Sequence, residues 1–138
     1  MENKKDQQEI QQKHMQLQML DQQMQQVQKQ LQMLDQQIKD LQTTSQALTD
    51  IREVKPGTEV LFPISNGIFL KGELKENDRL TINVGANTSV EKTIDEGKEL
   101  LDNQLQELIR YKLELDQNIS KLSSKAMELE KEISSANQ

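Results

Sequence analysis

The chain has 138 residues, enough for a single domain, but only 33% are hydrophobic and 2% aromatic. A compact core needs large side chains to exclude water, so this composition fits either disorder or long helices whose apolar residues keep to a narrow seam. A net charge of -6 argues against a nucleic-acid binder, which needs a basic face for phosphates, and the lack of cysteine removes disulfide and thiolate chemistry. No apolar run is long enough to cross a bilayer and Met1–Asp6 has no signal-peptide pattern, so a cytoplasmic protein with no membrane or nucleic-acid partner is expected.

From Ile10 onward, apolar residues fall at alternating steps of three and four. One set is Ile10, Leu17, Met24, Leu31 and Ile38; the other is Leu20, Val27, Leu34, Leu41 and Leu48. Sustained over about six heptads, this pattern predicts a coiled-coil helix over 1–53, because a disordered chain has no reason to hold a register. Lys13 and Ser45 are the polar residues at seam positions. Glutamine makes up 17 of the first 50 residues, which keeps the outer faces wet without charge and without loss of helix propensity. Met15 and Met19 lie four apart and share an outward face, and Met33 is also off the seam. They read either as incidental exposure, a second packing surface, or an adaptable contact for an apolar partner. His14 has no histidine, cysteine or carboxylate pair at ligand spacing and reads as a helix-surface residue.

Residues 54–91 break the pattern. Lys55-Pro56-Gly57 ends the helix, and the segment holds both prolines and four of the five glycines. Alternation predicts four short strands. Val60, Phe62 and Ile64 share a face, as do Ile68, Leu70 and Leu74, then Leu80, Ile82 and Val84, with Val90 in the last strand. The turns Ser65-Asn66-Gly67, Glu76-Asn77-Asp78 and Gly85-Ala86-Asn87 suit positive φ or side-chain-to-backbone bonding, so two successive β-hairpins are expected. Four such strands would make one sheet with an apolar face and open edges, which needs a partner chain or else must fold back on its own helices.

The heptad returns over 92–138. One set is Ile94, Leu101, Leu108, Leu115, Leu122, Leu129 and Ala136; the other is Leu105, Ile119, Ala126 and Ile133, interrupted by Lys98 and Lys112. Polar seam positions cost stability and fix register. Gly97 softens the first turns. Leu100, Ile109 and Leu113 fall off the seam and hint at a further contact. Two seams of similar length joined by a compact connector predict a mainly α fold: a long antiparallel coiled-coil hairpin with two β-hairpins, four short strands in all, inserted between the helices.

The order coil, two hairpins, coil resembles the α-type subunit of prefoldin, a holdase chaperone. The likeness is sharpest over Pro56-Gly57-Thr58-Glu59-Val60-Leu61-Phe62-Pro63-Ile64, Gly67-Ile68-Phe69-Leu70-Lys71-Gly72 and Leu80-Thr81-Ile82-Asn83-Val84-Gly85-Ala86. Phe62-Pro63-Ile64-Ser65-Asn66-Gly67 departs from the glycine-rich turn common in the family. The resemblance implies a single prefoldin-like domain that joins a second α-type copy and four β-type subunits in a hetero-hexamer. Unfolded client polypeptides are then held between the coil tips and delivered to a group II chaperonin, with no nucleotide or other cofactor. It places subunit assembly on Val60, Phe62, Ile64, Ile68, Leu70, Leu74, Leu80, Ile82 and Val84. Client binding falls on Ile10, Met15, Leu17 and Met19 of the first coil and on Ala126, Met127, Leu129 and Ile133 of the second.

Two other classes compete. An enzyme is not expected, since the chain has no phosphate-cradling glycine loop, no nucleophile with a base partner and no metal-ligand cluster. A coiled-coil structural adaptor shares the heptads but has no need of two apolar hairpins. A filament-forming or homo-oligomeric α-like prefoldin is the alternative within the chaperone class.

Overall fold

The computed structural model describes residues 2–136. Met1 and residues 137–138, included in the expected coils, lie outside the described residues. The element order is α1 (Glu2–Ile51), β1 (Glu59–Ser65), β2 (Ile68–Glu73), β3 (Arg79–Gly85), β4 (Thr88–Thr93) and α2 (Ile94–Ala136). The expected fold class is found: two long helices with two small antiparallel strand pairs between them. The chain divides into two compact units, one made of Met1–Gln37 with Leu108–Gln138 and the other of Ile38–Glu107.

In the first unit the helix faces follow the heptad. On α1 the covered positions are Ile10, Lys13, Leu17, Leu20, Met24, Val27, Leu31 and Leu34, with Asp35 beside them. On α2 they are Leu108, Lys112, Leu115, Ile119, Leu122, Ala126, Leu129 and Ile133. Leu34, Leu115, Ala126 and Ile133 are fully buried, whereas Ala136 is exposed and ends the seam early. Both polar interruptions in this unit have partners: Lys13 Nζ lies 3.2 Å from Glu132 Oε2, and Lys112 Nζ lies 2.7 Å from Asp35 Oδ1. These pairs run in opposite senses along the two helices, so the pairing is antiparallel. The Asp35 carboxylate, through its hydrogen bond and then its charge, raises the Lys112 pKa above the ordinary lysine value.

In the second unit the seam continues through Ile38, Leu41, Ser45, Leu48, Ile94, Lys98, Leu101 and Leu105. Lys98 Nζ donates to Thr49 Oγ1 at 2.5 Å, so this lysine too is tied across the seam. The start of α2 is a capping box. Glu96 N–H donates to Thr93 Oγ1 at 3.1 Å, while Glu96 Oε1 accepts from the Thr93 N–H at 3.3 Å. Ile94, the first residue of α2, is 1% exposed.

Each hairpin turns on left-handed backbone. In β3–β4 both turn residues, Ala86 (φ 50) and Asn87 (φ 59), have positive φ; in β1–β2 Gly67 (φ 81) supplies it. One sheet of four strands was expected, and the structure corrects this: there are two separate two-stranded sheets. The connector between β2 and β3 gives its hydrogen bonds elsewhere. Leu74 O accepts from Gly57 N–H at 2.6 Å, Asn77 Nδ2 donates to the Arg52 and Val54 carbonyls at 3.0 and 3.1 Å, and Asp78 O accepts from Ile94 N–H at 3.1 Å. A connector bound to both helix ends cannot bring β3 alongside β2.

Two outcomes test these assignments. Lys112→Leu raises the Tm in a circular-dichroism melt, because a seam leucine buries more apolar surface than a lysine held at its rim. Glu96 is held below the ordinary glutamate pKa first by the Thr93 backbone N–H, then by the Thr93 hydroxyl, with smaller help from Lys92 and Arg79. A depressed folded-state value means the cap contributes fully above the unfolded pKa and loses that contribution as pH falls through the folded one. In an NMR titration Glu96 therefore has a midpoint below the ordinary glutamate value, and Thr93→Val moves it part of the way back.

Candidate functional site

The two hairpins are built alike. Glu59↔Glu73, Phe62↔Leu70 and Ser65↔Ile68 in β1–β2 correspond to Arg79↔Thr93, Ile82↔Val90 and Gly85↔Thr88 in β3–β4, each twenty residues later. Both ladders shift register at the same place, between Pro63 and Ser65 in one and between Asn83 and Gly85 in the other. Even the diagonal ion pairs match with reversed sign: Lys71 with Glu59 at 3.7 Å, and Arg79 with Glu91 at 3.2 Å. The backbones are equivalent, so differences between the hairpins come from side chains.

Those differences are large. In β3–β4 one face carries Leu80, Ile82, Val90 and Lys92, all half-buried, and the other carries the exposed polar residues Thr81, Asn83, Ser89 and Glu91. The apolar face packs on the helices of its own unit. A Cβ added at Gly97 would lie 2.6 Å from Leu80 Cδ1, 3.7 Å from Leu48 Cδ1 and 3.9 Å from Ile82 Cδ1. Gly97 is thus the slot in α2 that lets Leu80 approach the helix axis. This hairpin is half-covered by its own chain, with Val84 left exposed at the turn.

The β1–β2 hairpin has less cover. Its first face holds Val60, Phe62, Leu70 and Gly72, and its second holds Leu61, Pro63, Phe69 and Lys71. Phe62 lays its ring across Gly72, where an added Cβ would come within 2.5 Å of the ring. Apart from that, both faces look into solvent: Leu61 is 57% exposed, Phe62 53%, Phe69 54% and Leu70 59%, with Ile64 and Ile68 similar at the turn. A two-stranded ribbon apolar on both sides does not hold a stable surface alone in water.

The expected assembly set therefore divides. Phe62, Ile64, Ile68 and Leu70 are exposed on β1–β2, with Val60 half-buried at its base and Leu74 half-buried in the connector. Leu80 and Ile82 are taken up by the chain's own helices, while Val84 is exposed at its turn. Leu61 and Phe69 are exposed beside the first group, although strict alternation assigned them to the polar side. The signal is an unbroken apolar run in each strand, Val60-Leu61-Phe62 and Ile68-Phe69-Leu70, a pattern that does not alternate between a wet and a dry face.

The expected client residues also separate into two kinds. Ala126 and Ile133 are buried in the seam, and Ile10, Leu17 and Leu129 are half-buried there. Met15, Met19 and Met127 are exposed by 60% or more and look outward rather than across the seam. Met19 lines a groove of about 380 Å³ with Gln16, Leu20, Gln23, Lys125, Glu128, Leu129 and Glu132. Among the described residues no three His, Cys, Asp or Glu side chains are grouped to hold a metal ion, and no helix is long and apolar enough to cross a membrane.

Comparison with known proteins places this geometry. A family model described as "Prefoldin subunit" matches residues 20–138. The prefoldin subunit alpha of Pyrococcus horikoshii is 37% identical over 65% of this chain and 55% of its own length. That of Thermofilum pendens is 29% identical over 63% of this chain and 67% of its own. The chain spans about half to two thirds of the length of the curated relatives it matches. Among solved structures, a filamentous prefoldin from Methanocaldococcus jannaschii is similar with a TM-score of 0.76 at 22% identity, covering 86% of this chain and 98% of that one. That likeness is one of fold.

The two hairpins respond differently to truncation. Leu80→Ala costs about 1–2 kcal/mol in chemical unfolding, since a half-buried leucine loses its contact with the α2 slot. Leu61→Ala changes the stability of the isolated chain by no more than about 0.5 kcal/mol.

Proposed function

Because the chain belongs to the prefoldin family, as an alpha-type subunit, we propose that it works as one subunit of an ATP-independent holdase. In this reading residues 54–91 are the assembly region, and the coils of 1–53 and 92–138 carry the client. β-Type subunits and a second α-type copy complete a hetero-hexamer that delivers unfolded polypeptide to a group II chaperonin in the cytoplasm. No reaction is catalysed.

The observation that carries the reading is the β1–β2 hairpin, solvated on two apolar faces while its twin is packed at home. Phe62, Leu70 and Val60 take one neighbour, and Leu61 and Phe69 take another. Ile64, Ile68 and Val84 extend the contact at the turns; Leu74, Leu80 and Ile82 act indirectly, by fixing the hairpins to the helix ends. At the coil tips Met15, Met19 and Met127 offer an adaptable surface to unrelated apolar segments. Ile10, Leu17, Ala126, Leu129 and Ile133 become available only when the helix ends open.

The test is co-purification with a β-type prefoldin subunit, followed by mass measurement and an ATP-free assay of aggregation of a denatured protein. A hexameric mass and suppressed aggregation are expected. The double variant Leu61→Ser with Phe69→Ser keeps its helical signal and loses the hexamer. A wild-type chain that stays monomeric beside β-type subunits overturns the reading. The similarity to a filamentous prefoldin favours a second reading, self-assembly into filaments; electron microscopy of the chain alone, where filaments are expected only under that reading, separates the two.

A further inference from the structure

The β1–β2 turn contains an asparagine followed by a glycine, Asn66-Gly67, with every residue from Leu61 to Leu70 exposed. Among the described residues the Asn66 side chain makes no hydrogen bond. Gly67 has φ 81, nothing lies within 4 Å of where a Cβ would stand, and it has no side chain to shield the peptide nitrogen that follows Asn66. None of the other asparagines whose side chains are described combines these features. Asn77 donates to two carbonyls and precedes an aspartate; Asn83 Oδ1 accepts from Gly85 N–H at 2.9 Å and precedes a valine. Asn87 precedes a β-branched threonine, and Asn103 and Asn118 sit inside α2, where the backbone ladder fixes the peptide.

We propose that Asn66 is a site of spontaneous deamidation, and that conversion there disables the β1–β2 hairpin as an assembly surface. The Gly67 peptide nitrogen gives up its proton and attacks Asn66 Cγ, and the tetrahedral adduct expels ammonia to leave a five-membered succinimide. Water then opens the ring at either carbonyl. Cleavage of the new Cγ–N bond gives aspartate, and cleavage at the former backbone carbonyl gives isoaspartate with the main chain rerouted through the side chain. Nothing is oxidised or reduced; one amide and one water become one carboxylate and one ammonium.

The consequence follows from where the charge appears. Ser65 to Leu70 contains no ionisable residue, and Ile64 and Ile68 flank the turn with 59% and 57% exposure. A carboxylate among them has no cation to pair with once a partner covers the hairpin, and an unpaired charge buried in an apolar contact opposes association strongly. The isoaspartate form also adds a backbone atom at the turn that sets the ladder's register. A chain left without partners therefore loses assembly competence with age. The chemistry stands on the turn alone, while this consequence rests on the assembly reading above.

The experiment ages the purified chain in mildly alkaline buffer and maps its peptides by mass, with enzymatic methylation to detect isoaspartate. Asn66 is expected to convert ahead of every other described asparagine, and Asn66→Gln to remove that product. Fresh Asn66→Asp and aged wild type should associate with a β-type subunit about tenfold more weakly than fresh wild type, a cost of about 1.4 kcal/mol. Aged Asn66→Gln should associate like fresh wild type. Another asparagine converting first, or none converting, overturns the proposed site. Fresh Asn66→Asp assembling as tightly as wild type overturns the consequence. Failure of fresh wild type to assemble strikes the assembly reading, while the mass map still decides whether Asn66 converts.

Discussion

The contact between Leu80 and the missing side chain of Gly97 decides what the rest of the molecule presents. Because α2 has no Cβ at that point, a leucine from β3 reaches the helix surface, and Ile82 and Leu48 close around it. One hairpin is satisfied by its own chain. Gly97 is the only glycine in either helix among the described residues, and the side chains of β1–β2 from Leu61 to Leu70 are left exposed. That exposure is a result of geometry as much as of composition.

The same economy runs through the seam. Few large apolar side chains are fully buried, and three lysines occupy positions that leucines would fill more favourably. Each lysine has a defined partner on the opposite helix: Glu132, Asp35 or Thr49. An exposed ion pair adds little to stability. A cation that meets its partner in one alignment only does, however, penalise every slipped one. The seam gives up cohesion for a single register.

Much of this was legible in the residues. The heptad positions from Ile10 to Leu48 and from Ile94 to Ile133 are the covered ones in the structure, including Lys13, Ser45, Lys98 and Lys112. Periodicity reports burial directly when a helix has a single contact line. What escaped was non-local. Gly97 reads as a weak point in a helix until Leu80, far away in sequence, is seen to need its space. Asn77 reads as a turn residue, yet its amide holds two carbonyls at the end of α1. Alternation placed Leu61 and Phe69 on a polar side because it assumes that one face of a strand is polar, an assumption that β3–β4 meets and β1–β2 does not.

Two ribbons with the same ladder, the same bulge and mirrored ion pairs amount to one cassette written twice with different ink. Because the backbone is common to both, what each hairpin exposes is encoded in a handful of side chains and can be rewritten without redesigning the scaffold. Transplanting Thr81, Asn83 and Ser89 onto Leu61, Pro63 and Phe69 would leave a ribbon apolar on one side, and the reverse graft would give β3–β4 a second apolar face. Modularity of this kind makes the amount of greasy surface a chain displays an evolvable property, independent of the scaffold that carries it.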